Sequence, residues 1–158
     1  MTFASVSAGI HGVDIKTKKA VISSVSGSIS FNEIEATSFS SDTTSGGLNI
    51  NSIKAETIKA ESVSGKVDLG AVDATDLDVY GVSGRVELGL KHLEKLNVET
   101  ISGKIELTLM SGFGLTTSFN TVSGSIKGDH EVKAGKHIFG DGKCEGQIST
   151  VSGNVVVK

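Results

Sequence analysis

Four histidines, one cysteine and a recurring serine are the side chains through which this 158-residue chain could do chemistry. His11, His92, His130 and His137 show neither the i,i+4 nor the CxxC-like spacing of a metal site. His130, His137 and Cys144 supply three donors by count, but spacings of seven residues match no zinc pattern. With Asp141 they mark one stretch, Gly128–Gly146, as a candidate loop, for which a long turn is the preferred reading. Serine precedes glycine at Ser26, Ser45, Ser64, Ser83, Ser102, Ser123 and Ser152. A serine nucleophile needs a matched base. No histidine accompanies these copies, and the G-x-S-x-G elbow is absent. The expectation is a ladder of structural hydroxyls. The acidic run Asp73–Asp78 lacks the glycine and terminal glutamate of an EF-hand. No GxxxxGKS phosphate loop is present. The chain is therefore expected to have no catalytic residue, metal or cofactor, and not to be an enzyme.

The same serines reveal the element that positions them. Ser-Gly recurs every 19 residues from Ser26 to Ser102, then after 21 at Ser123 and after 29 at Ser152. Around it stand the words VSGSISF, VSGKVDL, VSGRVEL, ISGKIEL and VSGNVVV, with apolar residues alternating after the glycine. Period-2 alternation marks strands with one buried face. Nineteen residues are too few for a βαβ unit or a propeller blade, and no leucine-rich pattern appears. What remains is an all-β parallel β-solenoid, a β-helix expected to be right-handed, with little or no helix. It should have seven or eight rungs of about 19 residues, stacked about 4.8 Å apart. One domain covers 1–158, with regular rungs over 25–107 and looser rungs plus the insertion over 108–158. The absence of proline and the 20 glycines suit strands paired on both sides.

Three inward columns are expected: Ile29 to Val155, Phe31 to Val157, and the residue before each Ser-Gly, namely Val25, Val63, Val82, Ile101, Val122 and Val151. The glycine column should mark a corner where φ is positive or a β-carbon would clash. Outward, Lys66, Arg85 and Lys104 stack beside Asp68, Glu87 and Glu106. Such a strip is either a solvated, ion-paired face or a docking surface for a charged partner. The last strand, ending Val155–Lys158, leaves a parallel edge to be covered by the insertion, by another chain or by further sequence.

Net charge is −3 and the sequence pI about 5.8, so no basic footprint for nucleic acid exists. No 18-residue apolar run would insert into a membrane. The first residues, MTFASVSAGI, lack the basic and apolar regions of a signal peptide.

The VSG-x-[IV]-x-[LI] words, and the ending Phe139-Gly140-Asp141-Gly142-Lys143 followed by Gln147–Val155, resemble the bacterial adhesin-type domain of unknown function called the toastrack β-solenoid. The resemblance covers about residues 5 to 158. It implies a non-catalytic module of the cell envelope or surface, with protein partners and with relatives in responses to envelope stress and antimicrobial peptides. A cytoplasmic location is the alternative. The competing functions are a carbohydrate-binding or polysaccharide-processing β-helix, which would need more exposed aromatics than Tyr80, and a module that self-associates end to end through an open edge.

Overall fold

The structure, a computed structural model, describes residues 1–158 and consists of strands and turns without a helix. The strands are β1 (Thr2–Ser5), β2 (Ile10–Ser24), β3 (Ile29–Thr43), β4 (Leu48–Ser62), β5 (Val67–His92), β6 (Lys95–Leu109), β7 (Leu115–Lys127), β8 (Glu131–Lys133), β9 (Lys136–Phe139) and β10 (Cys144–Val157). Neighbours pair parallel in the 19-residue register read from the sequence: Ile29 faces Leu48, Leu48 faces Val67, and Val86 faces Ile105. The result is a parallel β-solenoid of about six turns, fewer than the seven or eight rungs expected. The difference lies at the ends. β1 covers only Val21–Ser24 of β2, and beyond β7 the chain leaves the coil for a hairpin.

The order of layers departs from the order of the chain. Along the sheet the strands run β1-β2-β3-β4-β5-β6-β10-β7-β9-β8. β10 lies between β6 and β7, so that Val155 pairs with Ile105 on one side and Ile126 on the other. The expectation that Val155–Lys158 forms an uncovered edge is therefore corrected: this strand is interior, and β7 is the edge. The two irregular spacings are the physical reason. The longer step from Ser102 to Ser123 carries the chain past one layer, leaving a gap. The step of 29 from Ser123 to Ser152 gives it the length to return and fill that gap. Within that step, β8 and β9 form a hairpin, and β9 pairs antiparallel with Leu115–Thr117 of β7. The insertion thus covers part of an edge, although not that of the last strand.

The interior is one continuous cluster of stacked side chains. Ile29, Leu48, Val67, Val86, Ile105 and Val155 are buried, as are Phe31, Ile50, Leu69, Leu88, Leu107 and Val157. The first two expected columns are therefore inward. Another face contributes paired inward positions whose volumes compensate in the first layers: Ala20 with Ile22, Phe39 with Ser41, Ile58 with Ala60. A large residue beside a small one keeps a thin core filled at constant cross-section.

The third expected column is outward. Val25, Val63, Val82, Ile101 and Val151 are 43 to 53% exposed and Val122 is 83% exposed. Alternation continues strictly from Leu77 and Val79 to position 81 and leaves Val82 outside. The inward site ahead of most corners goes to a small polar residue, with Gly81 in its place in β5: Ser24, Thr43, Ser62, Thr100 and Thr150 are buried. The hydroxyls of Ser24 and Ser62 serve the corner backbone, and Thr43 donates to Ser62 Oγ at 3.1 Å. Ser62 Oγ accepts from Gly65 N–H at 3.0 Å and donates to Gly65 O at 3.2 Å, and Ser24 Oγ donates to Gly27 O at 2.7 Å. A valine there would leave corner groups unpaired, which costs more than its burial gains.

The glycines after each exposed serine have a steric cause. A β-carbon on Gly46 would run into the carbonyl oxygen of Gly27, one on Gly65 into that of Gly46, and one on Gly103 into that of Gly84. At Gly84 the distance would be 2.5 Å to Gly65 O. Gly27, Gly46 and Gly65 do not have positive φ, so close approach of one layer to the next accounts for the column. The serines stitch the same layers: Ser26, Ser45, Ser64 and Ser83 donate Oγ–H to the carbonyls of Val6, Val25, Thr44 and Val63 at 3.0 to 3.4 Å.

Two predictions follow from this packing. Gly84→Val should lower stability by about 2 kcal/mol or more in urea denaturation. Gly47→Ala, whose β-carbon would meet Lys66 O at an ordinary 3.7 Å, should change it little. Truncation after Lys143 removes β10, through which β7 joins the body of the sheet. Amide exchange should then lose protection throughout β7–β9 while β2–β5 keep theirs. Retained protection in β7 would contradict the interior position of β10.

Candidate functional site

The misplaced valine column proves to line a long concavity of the molecule. A groove enclosing about 1080 Å³ runs along the stack from the first layer to the last. One wall is the ladder Val6, Val25, Thr44, Val63, Val82, Ile101, Val151 and Val122, in spatial order. The other is the outward column two residues earlier: Ser23, Asp42, Glu61, Tyr80, Glu99, Ser149 and Asn120. Between them the Ser/Thr column turns inward, which makes the furrow. At the inter-strand spacing of parallel sheets the groove is about 34 Å long. The signal for it is present in the sequence, since the residue before Ser-Gly is apolar in nearly every copy. Only its parity identifies it as exposed.

The groove is acidic on its second wall. Asp42 lies beside Glu61, and its carboxyl is held above the usual aspartate range, first by burial and then by the Glu61 charge. Lys59 pairs with Glu61 at 2.5 Å and stands 5.7 Å from the centre of the Tyr80 ring, a cation–π distance. Glu99 accepts a hydrogen bond from Asn97 at 3.4 Å. The wall thus carries three carboxylates and one ammonium, next to an unbroken run of apolar side chains from Val63 to Ile101.

The charged strip is built as the spacing requires, on the outward positions of three successive layers. Lys66 bonds Asp68 at 2.8 Å and Glu87 in the next layer at 2.6 Å, and Arg85 meets Glu87 at 3.3 Å. Lys104 pairs with Glu106, which also meets Lys158 at 3.4 Å. These contacts hold the Glu87 and Glu106 carboxyls below their ordinary range, with the hydrogen bond from Lys66 or Lys104 as the leading cause. Each charge of the strip already has a partner within the chain, and such solvent-exposed pairs stabilise little. A charged ligand would have to displace them.

The candidate loop is brought together only in part. His130 and His137 stack with ring centres 4.8 Å apart, and His130 lies as close to Phe139. Burial, then the neighbouring His130, pushes the His137 imidazole below its ordinary range. Asp141 turns away to Lys143 at 2.9 Å. Cys144 is buried, its thiol pushed up to about 12 by burial and the Glu145 charge, which keeps it a poor thiolate. No three His, Cys, Asp or Glu side chains gather there or elsewhere in the chain. The histidines pack with aromatic rings at the end of the coil, where the hairpin meets β7.

The coil and its ladders define a class, the parallel β-solenoid repeat domain that displays side chains as columns. Within that class the model of the Toastrack DUF4097 family matches residues 2–158, and the chain belongs to this family, a domain of unknown function. No curated protein and no solved structure gives a significant match.

Asp42→Asn should raise the melting temperature at pH 7. With its folded pKa above the unfolded value, Asp42 favours the fold most when protonated, so the penalty of its charge sets in as pH rises through the folded pKa. The advantage of the variant should shrink as pH falls below the ordinary aspartate range. An advantage that persists at pH 3 would contradict this account.

Proposed function

We propose that this chain is a non-catalytic protein-binding module of the cell envelope or surface, and that its groove takes an extended segment of a partner. The observation that carries the reading is the exposed apolar ladder along that groove. Isolated apolar residues on a surface are ordinary, but a contiguous row seated in a concavity and rimmed by polar groups is the signature of a binding face. The fold makes such a row without distortion, because one residue per layer repeats the same geometry.

The charge of the second wall supports the chemistry of the occupant. Asp42, Glu61 and Glu99 suit a segment that carries Lys or Arg beside small apolar residues. An extended chain advances about 3.3 Å per residue, so a segment of roughly ten residues would span the groove. The ion-paired strip of Lys66, Arg85 and Lys104 offers less, since its charges are already matched. Location at the envelope, and a role in envelope or antimicrobial stress, rest on the family resemblance.

A fluorescent ten-residue peptide alternating Val and Lys tests the reading by anisotropy, against Val–Glu and Ser–Lys peptides of the same length. The first should bind the chain, weaken with salt, and lose at least tenfold in affinity against Val63→Asp/Val82→Asp. It should be indifferent to Lys66→Gln/Arg85→Gln/Lys104→Gln. Equal binding of all three peptides, or binding that survives the groove variant, would overturn the proposal. Capture of a polysaccharide through Tyr80 would favour the carbohydrate reading instead.

A further inference from the structure

The hairpin of β8 and β9 is held to the coil by few contacts. It joins the sheet through the pairs Leu115–Phe139, Thr116–Ile138 and Thr117–His137, and its own strands share three more. All of β8 is exposed. The turn places Ala134 at φ 49°, a left-handed conformation that a β-carbon makes costly. A two-stranded hairpin of this size is marginal without packing. What seats it is a cluster of rings over the end of the core. His137 faces Thr117 across the ladder and meets the Phe119 ring edge-on, with centres 6.2 Å apart. The His130 ring lies 4.8 Å from that of His137 and 4.8 Å from that of Phe139.

The cluster suits neutral imidazoles. His130 Nδ1 donates to Gly128 O at 2.8 Å. His137 Nδ1 is buried and has no hydrogen-bond partner. A neutral ring tolerates this, with its proton on Nε2 and a lone pair on Nδ1. A charged ring carries N–H on both nitrogens, and the proton on Nδ1 would have no acceptor. Nor do the surroundings supply a counter-charge. β7 presents Thr117 and Phe119. On β8 the residue opposite His137 is Val132, while Glu131 and Lys133 pair with each other at 3.1 Å. On β9 itself Lys136 and Ile138 alternate to the other face. Asp129 adjoins His130 without pairing with either ring, and Asp141 is bonded to Lys143 at 2.9 Å. The one ion pair that a histidine makes in this chain is that of His92 with Asp73. The charge facing His137 is therefore that of His130, which adds to burial in holding the His137 imidazole below its ordinary range.

We infer that residues Asp129 to Ile138 form an acid-opened flap: charging of the two packed imidazoles lifts the hairpin off β7 and uncovers Phe119, while the coil beneath stays folded. Gly128 and Gly140, at φ 152° and 61°, stand at the two ends of the flap and serve as its hinges. Beyond the second hinge the chain stays anchored, since Phe139 is buried and Thr116 Oγ1 donates to Gly142 O at 2.8 Å. Linkage fixes the sign. The lifted flap takes up protons in the ordinary imidazole range and the seated flap only below it, so neutral pH favours the seated state. That preference is lost as pH falls through the ordinary range, about 6.5. The other two histidines, His11 and His92, are exposed, so the coil has no comparable cluster to charge.

The test is NMR measurement of amide protection factors on the full chain at about pH 7.5 and about pH 5, on either side of the imidazole range. Protection of the amides that join β7 to β9 and β9 to β8 should fall severalfold at the lower pH, while β3–β5 keep theirs. The midpoint of that fall should coincide with the titration of the His137 ring protons. His137→Phe keeps a ring against Phe119 and cannot be charged, so its flap should be equally protected at both values. Phe119→Ala should loosen the flap at both. The double variant His11→Gln/His92→Gln should open with acid as the unaltered chain does. Circular dichroism melts show which variants are folded. The inference is overturned if the unaltered flap is equally protected at both values, or if folded His137→Phe still opens with acid. It is also overturned if β3–β5 lose protection in parallel, which is global acid unfolding. A midpoint that departs from the His137 titration overturns it too, and that readout needs no variant.

Discussion

At one corner of every layer, a carbonyl oxygen of one rung occupies the place that a β-carbon of the next would need. This close approach is the constraint on which the rest of the structure depends. It fixes glycine at one position in every rung but the first. It fixes the separation of layers there, and so lets a serine hydroxyl and the serine N–H reach the same carbonyl below. It also sets the parity of everything before the corner. The inward site three residues before the glycine holds a small residue, Ser or Thr in most layers and Gly81 in β5, and the next residue is turned outward. The exposed valine ladder is thus a consequence of how the corner is made.

Much of this was legible in the sequence. The 19-residue period, the parallel register and two of the inward columns follow from Ile29, Phe31 and their repeats, because period-2 alternation after each glycine is uninterrupted. The parity before the glycine was harder to read. Leu77, Val79 and Val82 are all apolar, and counting apolar residues puts all three inside; strict alternation from Val79 instead turns Gly81 inward and Val82 outward. Hydrophobicity alone cannot express that parity. As a result the charged strip, whose residues stand out by type, was visible as a candidate site, while the groove was concealed inside what looked like core.

The spatial order of layers was not legible at all. Repeat spacings of 21 and 29 show that something is inserted, but a parallel coil places equal words next to each other in any order that the connections allow. VSGSIKG at Val122 and VSGNVVV at Val151 are equally good neighbours for ISGKIEL at Ile101. The final strand takes the inner position, and its two faces join β6 to β7. The arrangement makes the C-terminal residues structural rather than peripheral. It also leaves the hairpin, with His130 and His137 packed near Phe139, as the element that finishes the open end of β7.

A coil built from one repeated layer has a particular difficulty with specificity. If every layer displayed the same groove residues, a bound segment could slide by one rung at no cost. The groove escapes this by small departures from the repeat. Thr44 interrupts the apolar ladder at one point, which separates Val25 from the run Val63, Val82 and Ile101. On the facing wall the carboxylates Asp42 and Glu61 give way to Tyr80, return at Glu99, and are replaced by the neutral Ser149 and Asn120 in the last two layers. These changes leave the groove acidic over its middle layers and neutral at both ends, and the uneven order Asp42, Glu61, Tyr80, Glu99 gives it a direction. Displacement by one layer would carry a basic side chain of the proposed occupant from Glu61 to Tyr80, or from Glu99 to Ser149, environments that differ in charge. For the proposed occupant, register would be read electrostatically, while the ladder would supply affinity that hardly depends on register.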